Sequence, residues 1–105
     1  MRFDRHTLVL LVLRSDAPEH TEEEADALQQ RHLAFRAALR ERDDFVAGGP
    51  LDDQDDERLR GISIWTCDPE TARRVSQEDP AVQAGRLAVE VMTWSVPAGS
   101  VRFGA

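Results

Sequence analysis

Three features are scarce in this chain of 105 residues: cysteine, long apolar runs and basic residues. Cys67 is the single cysteine, which excludes an intramolecular disulfide and any metal site built from several thiolates, and predicts a cytoplasmic protein. The apolar run Leu8–Leu13 has six residues, whereas a membrane-spanning helix needs about 20. No small-residue cleavage site follows it, so the run predicts a strand and not a signal peptide or membrane anchor.

The charge of the chain excludes two classes of partner. Twenty acidic residues outnumber thirteen basic ones, all of them arginine, and the net charge is −7. Binding to nucleic acid or to an anionic membrane requires clustered cations, so we expect neither partner. The length predicts one domain over residues 1–105, and a domain this small gains stability from forming an oligomer.

The first half of the chain predicts a strand, a helix and a second strand. Thr7–Leu13 is apolar on both faces, so both faces must be covered. Thr21 and Glu24 form a capping-box pattern, which predicts a helix from there to near Arg42. Phe45–Ala47 predicts a short strand that Gly48-Gly49-Pro50 ends sharply, since proline cannot donate to a ladder.

The second half of the chain predicts a strand, a helix followed by a short helical turn, and a last strand. Leu51–Arg58 is an acidic loop, and Arg60–Thr66 alternates like a strand. Asp68-Pro69 predicts an N-cap and first turn, with a helix running to about Gln77. Asp79-Pro80 repeats that signal for a short turn, Pro80–Ala84, which Gly85 ends, and Leu87–Val96 is the last strand.

The order of strand, helix, strand, strand, helix, strand is typical of one architecture. It predicts an α+β, ferredoxin-like βαββαβ fold with a four-stranded antiparallel sheet and its helices on one face. The opposite face of the sheet is apolar in the first and last strands, which predicts a homodimer through sheet-to-sheet contact. Glu90 shares that face with Met92 and Trp94, which favours an interface role for it; Trp65 and Trp94 are expected in the core or the interface.

His32 is the residue on which the functional interpretation depends. At helical spacing it falls within an apolar stripe formed by Ala25, Leu28, Phe35 and Leu39. A histidine there either satisfies both nitrogens inside the core or faces a polar pocket. From the residues alone the packed histidine is favoured. As a working group it would serve as a general base, because its ordinary pKa of about 6.5 suits neutral pH.

Asp79 also has two interpretations, and the remaining candidates for chemistry are weak. It is either the N-cap of the turn begun by Pro80 or a carboxylate that orients His32. His6 and His20 stand at element ends, and the acidic run Asp52–Glu57 lacks the glycine and glutamate of a calcium loop, so no metal site is predicted. No glycine motif that cradles phosphate occurs, so no cofactor is predicted either.

Three segments in order resemble the YciI-like (YCII-related) family. They are His32-Leu33 in the first helix, Gly49-Pro50 after the second strand, and the run Asp79-Pro80-Ala81-Val82-Gln83-Ala84-Gly85 before the last strand. The resemblance implies a dimeric α+β barrel in which His32 and Asp79 form a dyad and Gly49 and Pro50 shape the pocket wall. Family members with an assigned activity include a cofactor-free dehydrochlorinase, and the fold resembles that of muconolactone isomerases.

With that resemblance, three hypotheses stand in order. The first is a cofactor-independent lyase or isomerase in which His32 removes a proton from a small aromatic or enol-type acid while Asp79 stabilises the imidazolium. The second is an accessory protein that binds such a metabolite without turning it over. The third is a purely structural dimer in which His32 only contributes to stability.

Overall fold

The computed structural model describes residues 1–103, so the last two residues of the predicted domain lie outside the described part. The elements are β1 (Phe3–Leu13), α1 (Glu22–Leu39), β2 (Phe45–Pro50), β3 (Leu59–Trp65), α2 (Pro69–Ser76), α3 (Pro80–Gln83) and β4 (Leu87–Pro97). The strands form one sheet in the order β2-β3-β1-β4, and every neighbouring pair is antiparallel. The predicted ferredoxin-like α+β fold is confirmed.

Local capping explains where the helices begin. The Thr21 hydroxyl accepts a hydrogen bond from the backbone N–H of Glu24 at 3.1 Å, and the Glu24 carboxylate accepts one from the N–H of Thr21 at 2.9 Å. This is the predicted capping box. Helix α1 ends at Leu39, earlier than the predicted Arg42, because the N–H of Arg42 bonds to the Leu39 carbonyl in a tighter turn.

One face of the sheet packs against the helices and forms the core. Val9 of β1 and Trp65 of β3 are fully buried there, together with Leu39 of α1 and Ala72 and Val75 of α2. The indole N–H of Trp65 donates to the Ser63 hydroxyl at 2.9 Å, so its one polar atom is satisfied inside this core. Trp65 is therefore a core residue, one of the two roles expected for it.

The other face of the sheet has no helix over it. Strand alternation and the pairing register bring a mostly apolar set together on this open face: His6, Leu8, Leu10, Val12, Ile62, Ile64, Ala88, Glu90, Met92 and Trp94. The predicted alternation of β1, β3 and β4 is confirmed. Met92 is 39% exposed and Trp94 38%. An apolar surface of this kind is typical of an interaction site.

Strand β2 is longer than predicted. The expectation that it stops at Ala47 is wrong: β2 continues through Gly48 and Gly49 to Pro50, which pairs with Gly61 of β3. Proline is tolerated here because β2 is an edge strand with one hydrogen-bonded neighbour. The glycines also fit, since the backbones of β2 and β3 approach closely where Gly48 faces Ser63.

Helix α1 is set apart from the strands. Its main partner among the elements is α3, whereas α2 lies over β1 and β4. Its C-terminal part reaches the core cluster of Val9 and Trp65 through Leu39 and the partly buried Phe35, and Leu28 in its first half is buried as well. A gap is left between α1 and the β2–β3 half of the sheet, and the candidate site lies in it.

None of the helices in residues 1–103 is both long and apolar enough to cross a membrane.

The two glycines of β2 should respond differently to the same substitution. A Cβ at Gly48 would lie 2.9 Å from Cζ of Phe45 and 2.9 Å from Cβ of Ser63, whereas a Cβ at Gly49 would meet nothing within 4 Å. Gly48→Ala should therefore lower the free energy of unfolding by about 1–3 kcal/mol through overpacking. Gly49→Ala should change it by less than about 0.5 kcal/mol. Urea unfolding of both variants measures the difference, and equal effects would contradict this packing.

Candidate active site

A cavity of about 610 Å³ occupies the gap between α1 and the sheet. Residues spaced along one face of α1 form one wall, including Leu28, His32 and Arg36. The facing wall comes from β2 and β3 and includes Gly48–Leu51, Arg60 and Gly61. This volume is in the range typical of pockets for small organic ligands.

His32 and Asp79 meet at this cavity. The Nδ1 atom of His32 lies 2.9 Å from Oδ1 and 2.8 Å from Oδ2 of Asp79, although 47 residues separate them in the sequence. Asp79 is fully buried, and 15% of the His32 side chain is exposed. The structure thus brings this ring and this carboxylate into direct contact. His32 lines the cavity and Asp79 does not, so the imidazole separates the carboxylate from the cavity.

Asp79 makes the contacts that both of its interpretations require. Its Oδ1 accepts a hydrogen bond from the backbone N–H of Ala81 at 2.9 Å, so it is the N-cap of α3. The same carboxylate also accepts from His32. One side chain thus begins α3 and connects that short helix to α1.

The contact determines which nitrogen of His32 is free of hydrogen bonds to residues 1–103. A carboxylate only accepts hydrogen bonds, so Nδ1 of His32 carries the hydrogen and donates a hydrogen bond to Asp79. The hydrogen bonds of this imidazole to residues 1–103 all use Nδ1. In the neutral ring Nε2 then has a free lone pair, and it is the nitrogen that can accept a proton from a molecule in the cavity.

The two other predicted site residues also lie at the cavity. Gly49 and Pro50 line the β2 wall, opposite the helix that presents His32. The three segments that resemble the family therefore contribute to the lining of one cavity, the third through Ala81. Their contribution to binding a substrate remains a prediction.

Four arginines on the cavity wall were not among the residues singled out from the sequence: Arg36, Arg40, Arg60 and Arg86. His20 lines the same cavity, and its Nε2 is buried with no hydrogen-bond partner in residues 1–103. Within that part of the chain, Asp26 is the one acidic residue on the wall. The cavity is thus cationic in a protein of net charge −7. Helical spacing could have identified Arg36, which follows His32 by four residues on the same face.

Neither a reactive cysteine nor a metal cluster contributes to this cavity in the described part of the chain. Cys67 lies elsewhere, where burial, and secondarily the Asp44 carboxylate, raises the pKa of its thiol, so the reactive thiolate is disfavoured. In residues 1–103, no cluster of three or more histidine, cysteine, aspartate or glutamate side chains could hold a metal ion.

Asp79 and Asp68 form a matched pair for measuring the contact with His32. Both are N-caps followed by proline, but Asp68 is exposed and bonds only the N–H of Thr71. Asp79→Ala removes a cap and leaves Nδ1 of His32 unsatisfied, and should lower the free energy of unfolding by about 2–4 kcal/mol. Asp68→Ala removes a cap alone and should cost clearly less. Denaturant unfolding gives both values, and equal losses would show that the His32 contact adds no stability.

Comparison with known proteins agrees with this fold. The chain resembles 5-chloro-2-hydroxyhydroquinone dehydrochlorinase from Burkholderia phenoliruptrix, solved with 2,5-dihydroxybenzoquinone, with a TM-score of 0.58 and 19% identity over 85% of this chain and 92% of the other. It also resembles SnoaB, a cofactor-independent oxygenase from Streptomyces nogalater, with a TM-score of 0.49 and 22% identity over 94% and 99%. At 19% identity the likeness to the dehydrochlorinase shows the fold alone.

Family membership rests on a separate match at the level of sequence. No curated protein matches the chain in sequence. The model of the YCII-related domain matches residues 9–95, a span that includes His32, Gly49, Pro50 and Asp79. The chain therefore belongs to the YCII-related domain family.

Proposed function

We propose that this protein is a cofactor-independent enzyme that removes a proton from a small aromatic or enol-type acid, with elimination or isomerisation following. The observation that supports it is the pairing of His32 with a fully buried carboxylate at the wall of a ligand-sized cavity. The dehydrochlorinase that the fold resembles was solved with a small quinone, so the same class of ligand is a reasonable first choice here.

In this proposal the two side chains divide the work. Nε2 of His32 accepts the proton and the ring becomes an imidazolium, which would be costly at a partly buried position without a counter-charge. The Asp79 carboxylate lies within 2.9 Å of Nδ1 and supplies that charge. It also holds the ring in one orientation, so Asp79 is a positioning residue. Gly49 and Pro50 would form the substrate-binding wall opposite.

We also propose that the protein is a cytoplasmic homodimer joined through the open face of the sheet. The support is the apolar character of that face, from Leu8 and Leu10 on β1 to Met92 and Trp94 on β4. Glu90, opposite Leu10, is an acidic residue of this face, and its carboxylate would meet polar groups of the second copy. Cys67 as the single cysteine supports the compartment.

Turnover is tested with a chlorinated hydroxyhydroquinone, because loss of HCl from it would leave a hydroxyquinone and release chloride that can be measured. The wild type should release chloride, and His32→Gln should lower kcat by about a hundred- to ten-thousandfold, the usual contribution of a general base.

Asp79→Asn should lower kcat more than it raises KM. Nitrogen NMR should show the His32 proton moving from Nδ1 to Nε2 in that variant, since an amide N–H donates to Nδ1.

Asp68→Asn is the control, because it changes an exposed N-cap in the same chemical way without touching the cavity. It should keep wild-type kcat. Equal turnover by the wild type and His32→Gln would exclude His32 as the base. If the wild type binds 2,5-dihydroxybenzoquinone in a thermal-shift assay but turns over none of the chlorinated or enol-type acids, the accessory binding protein replaces the enzyme.

The dimer is tested by placing a charge on the open face. Met92→Arg, at a residue 39% exposed and paired with Leu8, should convert the dimer to a monomer because a buried unpaired cation is costly. Ala27→Arg adds the same charge on the exposed side of α1 and should leave the dimer intact. Light scattering after size exclusion measures the mass. A monomeric wild type, or a dimeric Met92→Arg protein, would contradict the interface.

A further inference from the structure

Arg36 is a cation at the cavity that forms no ion pair with any other residue of the described part of the chain. Its side chain is partly buried, and its Nη1 is buried with no hydrogen-bond partner in residues 1–103. The ion pairs found in that part of the chain join other residues: Arg14 with Asp16, His32 with Asp79, Arg42 with Asp44 and Arg58 with Asp56. Buried charges in proteins are normally paired, so an unpaired guanidinium requires an explanation.

The carboxylate of Asp79 influences the Arg36 guanidinium but does not pair with it. Burial lowers the pKa of the Arg36 guanidinium from its ordinary value, and the Asp79 charge opposes that shift, so Asp79 lies within electrostatic range. Asp79 nevertheless forms no ion pair with Arg36, because its oxygens already accept from His32 and from the N–H of Ala81. The guanidinium keeps its donors free for a group from outside the chain.

The position of Arg36 relative to His32 limits what that group can be. The two residues are four apart on α1, which places their Cβ atoms about 5–6 Å from one another on one face. Both line the same cavity, and three further arginines line it against the single carboxylate of Asp26. A single small ring could therefore present an anionic oxygen to Arg36 and a removable proton to His32.

We propose that Arg36 binds an anionic oxygen of the substrate, a carboxylate or an enolate, and so makes the cavity specific for anions. The forked guanidinium suits such a group because it can donate two parallel hydrogen bonds. This inference rests on the proposed function only in taking the same cavity as the substrate site. It concerns binding, so it can be tested without turnover.

Isothermal titration with two matched pairs of probes tests the proposal. The pairs are 2,5-dihydroxybenzoate with its neutral methyl ester, and 4-hydroxycoumarin, an enol acid, with coumarin. The wild type should bind at least one acid about ten- to a hundredfold more tightly than its neutral partner, the worth of a hydrogen bond to a charged group. The pair that shows the preference identifies the anion as carboxylate or enolate. Equal affinity within both pairs, or no binding of either acid, would overturn the proposal.

Variants assign the preference to Arg36. Arg36→Gln should lose the preference for the acid and keep the affinity for the neutral partner. Arg36→Lys should retain part of it, since the charge remains but the fork is lost. Arg31→Gln removes the same charge from an exposed position of the same helix and should bind as the wild type does. An Arg36→Gln protein with an unchanged preference would assign the anion to another arginine and overturn the proposal.

Thermal stability separates a binding role from a structural one. Because Nη1 of Arg36 has no partner within residues 1–103, Arg36→Met should melt at the wild-type temperature or above it. A clearly lower melting temperature with unchanged anion preference would make Arg36 structural and overturn the proposal. The two hypotheses fail separately: anion preference without any turnover contradicts the proposed enzyme alone, whereas turnover without anion preference contradicts the role of Arg36 alone.

Discussion

The buried contact between His32 and Asp79 connects the parts of the molecule that form the cavity. Helix α1 has α3 as its main partner among the elements, and Asp79 caps the start of α3 while accepting a hydrogen bond from His32 in the middle of α1. A fully buried carboxylate requires partners for its oxygens, so neither helix can shift without leaving polar groups unsatisfied. The contact therefore fixes α1 at a distance from β2 and β3, which leaves the cavity open.

The unpaired state of Arg36 follows from that arrangement. Since His32 takes the buried carboxylate, Arg36 one turn later is left without a partner among residues 1–103. A core made only for stability would pair or exclude such a cation, because an unpaired guanidinium lowers stability. A site that binds an anion benefits from the same feature. In the proposed role the cationic cavity would serve recognition of an anion, whereas an acidic surface favours solubility.

Much of the fold could be predicted because its signals are local. Alternation placed the faces of β1, β3 and β4 correctly, and the caps at Thr21, Asp68 and Asp79 marked the starts of the helices. The prediction for β2 was wrong because glycine and proline disfavour strands on average, while the pairing with β3 and the freedom of an edge decide the outcome here. The contact of His32 with Asp79 was reached through a resemblance, not through any local rule.

The sequence by itself determined the element order, the face of α1 on which His32 lies and the N-cap position of Asp79, since each follows from spacing within a few residues. Only the tertiary structure decided that these two residues touch across 47 positions, and that four arginines from separate segments line one cavity. The reason is physical. Helical phase shows the direction in which a side chain projects, but what it meets there depends on how distant segments pack, which no local pattern specifies.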